Sequence, residues 1–241
     1  MAPDAISPLA VEPAAPVGAA APRVNVLLTY EVAGDLRFLA HHDELRMLQR
    51  ALVRAAWPVA YSRGFNPRPK LTVLLPRNLG CAAVEQTARA TLSQQRSPEA
   101  LFSSLSRQMP AACPLRRVIA PAAAATPHPR QVGYELELDP EDLDGLSERA
   151  AQLLGAPSVV VTRVSAPGQP TRPLDIRPYI NTLELRENVL HMELLFVEQR
   201  TARPAEIIAA LGLAADTYNH RVRRAEVHWD LELVGPQWPA R

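Results

Sequence analysis

From Val24 onward the chain alternates short extended runs with amphipathic helical stretches, in an order that occurs twice, and this repeat restricts the fold more than any other feature. Val24 to Tyr30 is β-branched and partly alternating, and reads as a strand. Between His41 and Ala56 the apolar Leu45, Leu48, Leu52 and Val53 recur at spacings of three and four. Arg46, Arg50 and Arg54 fall four apart on another face, giving an amphipathic helix with a basic stripe. Pro58 ends it. Extended segments at Val59 to Ser62 and Leu71 to Leu75, a strand at Glu85 to Leu92, a helix from Ser97-Pro98-Glu99 to Gln108 and a strand at Leu115 to Ala120 complete β-α-β-β-α-β.

After the Pro- and Ala-rich stretch from Pro121 to Pro129, a similar order returns. It comprises a strand at Val132 to Leu138, a helix at Glu141 to Leu154, strands at Ser158 to Val164, Tyr179 to Leu185 and Val189 to Val197, a helix at Pro204 to Leu211 and a strand at Ala225 to Val234. Glu187-Asn188 is the expected hairpin turn between two of these strands. Alternating strands with one apolar face need helices to cover that face, so the expected class is α+β. The simplest architecture is two tandem ferredoxin-like units, antiparallel sheets with helices on one face and one extra strand in the second unit. Val24 to Tyr30 and Val132 to Leu138 are expected as equivalent central strands. The expected organisation is a disordered leader at 1–22, a first unit at 23–121, a linker at 122–130, a second unit at 131–235 and a tail at 236–241.

Composition narrows the chemistry. The 241 residues carry 26 Lys+Arg against 25 Asp+Glu, so any polyanion binding has to come from a local patch. Such a patch exists: eight cations stand against three acids between Gly34 and Gly80, whereas Gln131 to Ala156 holds seven acids and only Arg149. Docking between the two halves and ordinary solvated surface are the competing readings of this asymmetry. Cys81 and Cys113 are the only cysteines, which excludes a disulfide framework, an all-thiolate zinc site and a cluster held by three or more thiolates of this chain. No apolar run approaches the roughly 20 residues of a membrane span, and a reducing cytoplasm is the expected setting.

The densest chemistry lies in Tyr61-Ser62-Arg63-Gly64-Phe65-Asn66-Pro67-Arg68-Pro69-Lys70. Pro67 and Pro69 fix φ and hold their neighbours extended, so Arg68 and Lys70 project from a stiff backbone. Phe65 or Tyr61 can stack on a base while Arg63, Arg68 and Lys70 neutralise phosphate, and the Arg46, Arg50 and Arg54 face can lie beside them. The alternative is a structural loop whose aromatic rings plug the core. Arg37, Asn66 and Arg177 complete the expected anion- or RNA-binding set. Asp175-Ile176-Arg177-Pro178 reads equally as a fixed ion pair or an anion-facing hook, the structural reading being the stronger.

Three segments together resemble the radical-SAM-linked protein family, a bacterial domain of unknown function found as a separate chain or fused behind a radical SAM module. They are Gly34-Asp35-Leu36-Arg37-Phe38-Leu39-Ala40-His41-His42-Asp43, the run from Pro58 to Lys70, and Asp175-Ile176-Arg177-Pro178. The likeness extends from Val24 to Leu233. Ala40 stands where the family has Ser, His42 where it has Leu, Arg63 where it has Gln and Arg68 where it has His. These departures remove that Ser and the second-motif His from any chemistry and make the loop more basic. The resemblance implies a radical SAM enzyme as partner, which would have to supply the cluster that this chain cannot hold.

His41, His42, Asp43 and Glu44 invite a metal reading, but only His41 and Glu44 are spaced to share a helix face, and no third ligand is evident. Asp43 is expected at or near the helix N-cap, and His41 as a partly buried histidine bonded to backbone. Cys81 lacks an identifiable base and reads as apolar filler. The expectation is therefore an accessory protein that does no chemistry itself, has no cofactor or metal of its own, and binds RNA or another phosphate-bearing substrate. The alternatives are a phosphate-handling hydrolase or nucleotidyl-processing enzyme using His41 and Asp43, and a protein-protein adaptor whose acidic Glu135 to Glu148 surface docks a basic partner.

Overall fold

The computed structural model describes residues 23–120, 126–163 and 171–231. The expected leader at 1–22, residues 122–125 of the linker and the tail lie outside the described residues. The fold is mixed α+β, with few helices packed on one large, mostly antiparallel sheet.

In the first half, β1 (Val24–Val32), α1 (His41–Arg54), β2 (Leu71–Val73), β3 (Ala82–Leu92), α2 (Pro98–Ser106) and β4 (Leu115–Ile119) follow in order. Antiparallel pairing sets the spatial order β4-β1-β3, with β2 on the far side of β3. One face of β1, formed by Val26, Leu28, Tyr30 and Val32, meets Leu48 and Leu52 of α1 and Leu101 and Leu105 of α2 in a single buried cluster. The period of two in the strand and the three-four spacing in the helices bring these residues together. Helix α1 ends two residues earlier than its sequence pattern, where Ala56 takes a positive φ of 53°. Ser97 caps α2 by accepting from the Ala100 amide.

In the second half, β5 (Pro129–Glu137), α3 (Leu146–Gly155), a hairpin of β6 (Val160–Arg163) and β7 (Arg172–Asp175), β8 (Ile180–Arg186), β9 (Val189–Leu195), α4 (Pro204–Ala210), α5 (Ala215–Tyr218) and β10 (Val222–Trp229) follow. Their order in the sheet is β10-β5-β9-β8. Each half thus places its first strand between its last and its third, so β1 and β5 are equivalent central strands. Glu187 and Asn188 form the expected two-residue turn, with Glu187 at φ 56°.

Four expectations are corrected. The halves do not carry separate sheets, because β3 and β10 pair in parallel through Ala82 and Ala83 with Arg223 and Arg224, giving one eight-stranded sheet. The extra strand is a two-stranded hairpin, its second strand Arg172–Asp175 being too polar and Pro-containing to read as β. The helix expected from Glu141 begins only at Leu146, because Gly145 at φ 64° breaks the backbone after a short turn at Pro140–Asp142. The last strand starts at Val222 rather than Ala225, since it is held by β3 and β5 regardless of its arginines.

Candidate functional site

The loop from Tyr61 to Lys70 is built as a braced projection beyond the edge of β2. The Ala60 amide donates to the Thr91 carbonyl at 2.7 Å and the Thr91 amide donates to the Lys70 carbonyl at 3.0 Å, so both ends are laced to the sheet. Tyr61 and Pro69 bridge across the loop. Within it the Ser62 amide donates to the Arg68 carbonyl at 2.8 Å, and the Arg68 amide donates to Ser62 Oγ at 3.0 Å. Gly64, at φ 141° with open space around it, turns the tip.

At that tip Phe65 is 100% exposed, and Tyr61 is 47% exposed. Arg63, Asn66 and Arg68 are exposed beside it, and Lys70 is half-buried where the loop rejoins β2. The loop's phenyl ring therefore does not plug the core, and Arg63, Asn66 and Arg68 present their side chains to solvent. A fully exposed aromatic ring flanked by guanidinium groups on a short, pinned loop can stack on a flat apolar ligand while its neighbours meet anionic groups.

The remaining expected site residues are placed elsewhere. Arg37 lies in the turn Gly34–Phe38, its guanidinium 4.9 Å from the Phe38 ring centroid. Arg177 is engaged inside the protein: Nε and Nη2 donate to the Leu154 carbonyl at 2.9 and 2.6 Å, and Nη1 donates to the Ile180 carbonyl at 2.8 Å. It thereby caps the end of α3. Asp175 accepts from the Val159 and Arg177 amides at 2.8 and 3.0 Å, and these bonds hold its carboxyl below the usual range. This tetrapeptide fastens the β6-β7 hairpin to the core; its arginine does not face outward.

His41 and Asp43 do not converge. Asp43 is not the cap of α1, which is Ala40; it sits in the first turn, exposed, with its carboxylate 3.2 Å from Arg46. His41 Nδ1 is buried without a hydrogen-bond partner, contrary to the expected backbone bond, and its ring stands 5.7 Å from that of His42. No group of three or more metal-ligating side chains occurs among the described residues. Burial pushes the Cys81 thiol up and the Cys113 thiol up to about 12, so neither is poised as a thiolate.

The basic stripe of α1 forms a separate surface. Arg46, Arg50 and Arg54 line a groove of about 410 Å³ with Leu36, Leu39, Asp43, Met47 and Pro110, and no residue of the loop lines it. The acidic edge of the second half is partly neutralised, Asp139 pairing with Arg221 and Glu135 with Arg223 at 2.7 and 2.6 Å.

A buried network escaped the sequence reading. Tyr30 donates to Glu44 Oε1 at 2.7 Å, and Glu44 Oε2 lies 3.5 Å from Arg77 Nε, both charged side chains being 2% exposed. Arg77 also donates to the carbonyls of Leu36, Arg37 and Cys81. It thus locks the Gly34–Phe38 turn against α1, which gives the start of the Gly34 to Asp43 motif a structural purpose. Arg224, 1% exposed, donates to the Leu75 carbonyl and to Gln86 where the two halves meet.

A family model described as "Uncharacterized protein conserved in bacteria (DUF2344)" matches residues 25–204. No curated protein matches the chain. The crystal structure of an unknown protein from Galdieria sulphuraria is similar at 13% identity, covering 86% of this chain and 98% of that one, with a TM-score of 0.26. No helix among the described residues is long and apolar enough to cross a membrane.

Proposed function

The chain belongs to the DUF2344 family of bacterial proteins, and we propose that it is a non-catalytic accessory protein that binds RNA, or another phosphate-bearing substrate, through the loop from Tyr61 to Lys70. The observation that carries this reading is the complete exposure of Phe65 on a braced loop between Arg63 and Arg68. Exposing a phenyl ring forgoes the roughly 1.5–3 kcal/mol of burial, and a ring held at the tip of a pinned loop is positioned for a ligand rather than for packing. Neighbouring cations add the electrostatic attraction that phosphate requires.

In this proposal the two halves are ferredoxin-like units, a reading supported by the shared spatial order of their strands. Any chemistry comes from a partner, and the resemblance of the three motifs names a radical SAM enzyme as that partner. The setting is cytoplasmic, in keeping with two unpaired, buried cysteines. The hydrolase alternative gains no support from the separated His41 and Asp43.

The test is binding of fluorescein-labelled single-stranded RNA to the full chain, read by fluorescence anisotropy. Phe65→Ala is expected to weaken binding by on the order of 1–3 kcal/mol at every salt concentration without lowering the melting temperature. An unchanged affinity, or a destabilised protein, would refute the stacking role.

A further inference from the structure

The groove beside α1 has a chemistry different from that of the loop. Its cations are Arg46, Arg50 and Arg54, with Asp43 as the only carboxylate in the lining, and its apolar lining is Leu36, Leu39, Met47 and Pro110. Asp43 engages Arg46, and Arg54 donates to the side-chain and backbone oxygens of Gln108 at 3.1 and 2.9 Å. Arg50 is exposed and makes no hydrogen bond or ion pair among the described residues. The face of α1 with Leu48, Ala51 and Leu52 is committed to the core, and the half-buried Leu36 and Met47 pack against that core's edge, so the groove runs along the helix's flank and its arginines face outward.

From this surface we propose that α1 docks an acidic, amphipathic helix of a partner protein. Excess positive charge selects an acidic occupant. The apolar lining is aliphatic and contains no aromatic ring on which a base could stack, which favours leucine-like anchors over nucleotides. Met47 supplies an adaptable, polarizable contact of the kind used at helix-binding grooves. Successive arginines rise about 6 Å along α1, the repeat of carboxylates at every fourth position of a helix laid alongside it. A second copy of this chain fits less well. Its acidic face around α3 exposes Glu141, Asp144 and Glu148, but none of the large exposed apolar side chains lies on α3. The inference does not depend on the RNA reading, because groove and loop share no lining residue.

The test uses the full chain and a stapled, fluorescein-labelled helical peptide of about 14 residues, with leucines on one face and Glu or Asp elsewhere. Three variants with matched circular dichroism and melting temperature are compared with the wild type. The wild type is expected to bind the peptide, Arg50→Glu and Met47→Glu to weaken binding about tenfold or more, and Arg63→Glu to leave it unchanged. Several results would overturn the proposal: no peptide binding by the wild type, or equal binding of a control peptide with alanine in place of every leucine. Displacement of the peptide by oligouridine would assign the groove to nucleic acid. Self-association in sedimentation that Arg50→Glu abolishes would assign it to a second copy.

Discussion

Ser62 and Arg68 clasp the candidate loop from within: the Ser62 amide donates to the Arg68 carbonyl at 2.8 Å, and the Arg68 amide donates in return to Ser62 Oγ at 3.0 Å. The paired bonds close the loop around Gly64 and Phe65 and fix the direction in which the ring projects. Ser62→Ala removes one of them. Because the loop is exposed, the melting temperature should move by no more than a few degrees. RNA affinity should fall about fivefold, the equivalent of roughly 1 kcal/mol of added ordering on binding. Anisotropy titrations beside thermal melts would separate the two effects, and an affinity equal to wild type would show that the clasp does not organise the loop.

Glu44 accepts from Tyr30 and forms a buried ion pair with Arg77, and its loss leaves a guanidinium that is 2% exposed without its counter-charge. Glu44→Ala is therefore expected to destabilise the protein by about 3–5 kcal/mol, read as a lower urea midpoint. A loss below 1 kcal/mol would mean that the Gly34–Phe38 turn is held by something else.

Asp175 gives a pH dependence. Its folded-state pKa lies below the ordinary value of 3.8 because of the amide bonds from Val159 and Arg177. A carboxyl depressed in the folded state contributes stability above its unfolded pKa, and that contribution is lost as pH falls through the lowered folded value. The unfolding midpoint should accordingly drop as pH falls below about 4. Asp175→Asn should be less stable at neutral pH and show a shallower acid decline; parallel curves for the two proteins would contradict the assignment.

These expectations draw unequally on what the sequence displayed. The central strands and α1 were legible because one face of each is buried, which forces Val26, Leu28 and Tyr30 into a period of two and Leu45, Leu48 and Leu52 into helical spacing. Arg172–Asp175 was not, since a strand paired only with β6, outside the main sheet, needs no apolar alternation. The parallel junction of β3 with β10 was hidden for a related reason: Arg224 is polar by identity yet 1% exposed, and it donates to residues 138 and 149 positions away. Glu44, legible only as a possible metal ligand beside His41, and Arg77, one cation among the eight between Gly34 and Gly80, gave no local sign of the buried pair they form. Arg177 was expected in the anion-binding set, with a structural reading beside it, and its three bonds to backbone carbonyls give it a packing role that spacing alone could not separate from anion binding. The exposed loop was the most readable part of the site, because Pro67, Pro69 and Gly64 act locally.

The central claim is that the loop binds RNA phosphate, and the salt dependence of binding tests it most directly. Each lost phosphate contact on a single strand should reduce the slope of log affinity against log salt by about 0.7. The triple change of Arg63, Arg68 and Lys70 to Ala should flatten the slope by about two and leave the fold intact, since Arg63 and Arg68 are exposed and the half-buried Lys70 lies at the loop's edge, outside the core. Absence of RNA binding by the wild type at low salt, or an unchanged slope in the triple variant, would contradict the account.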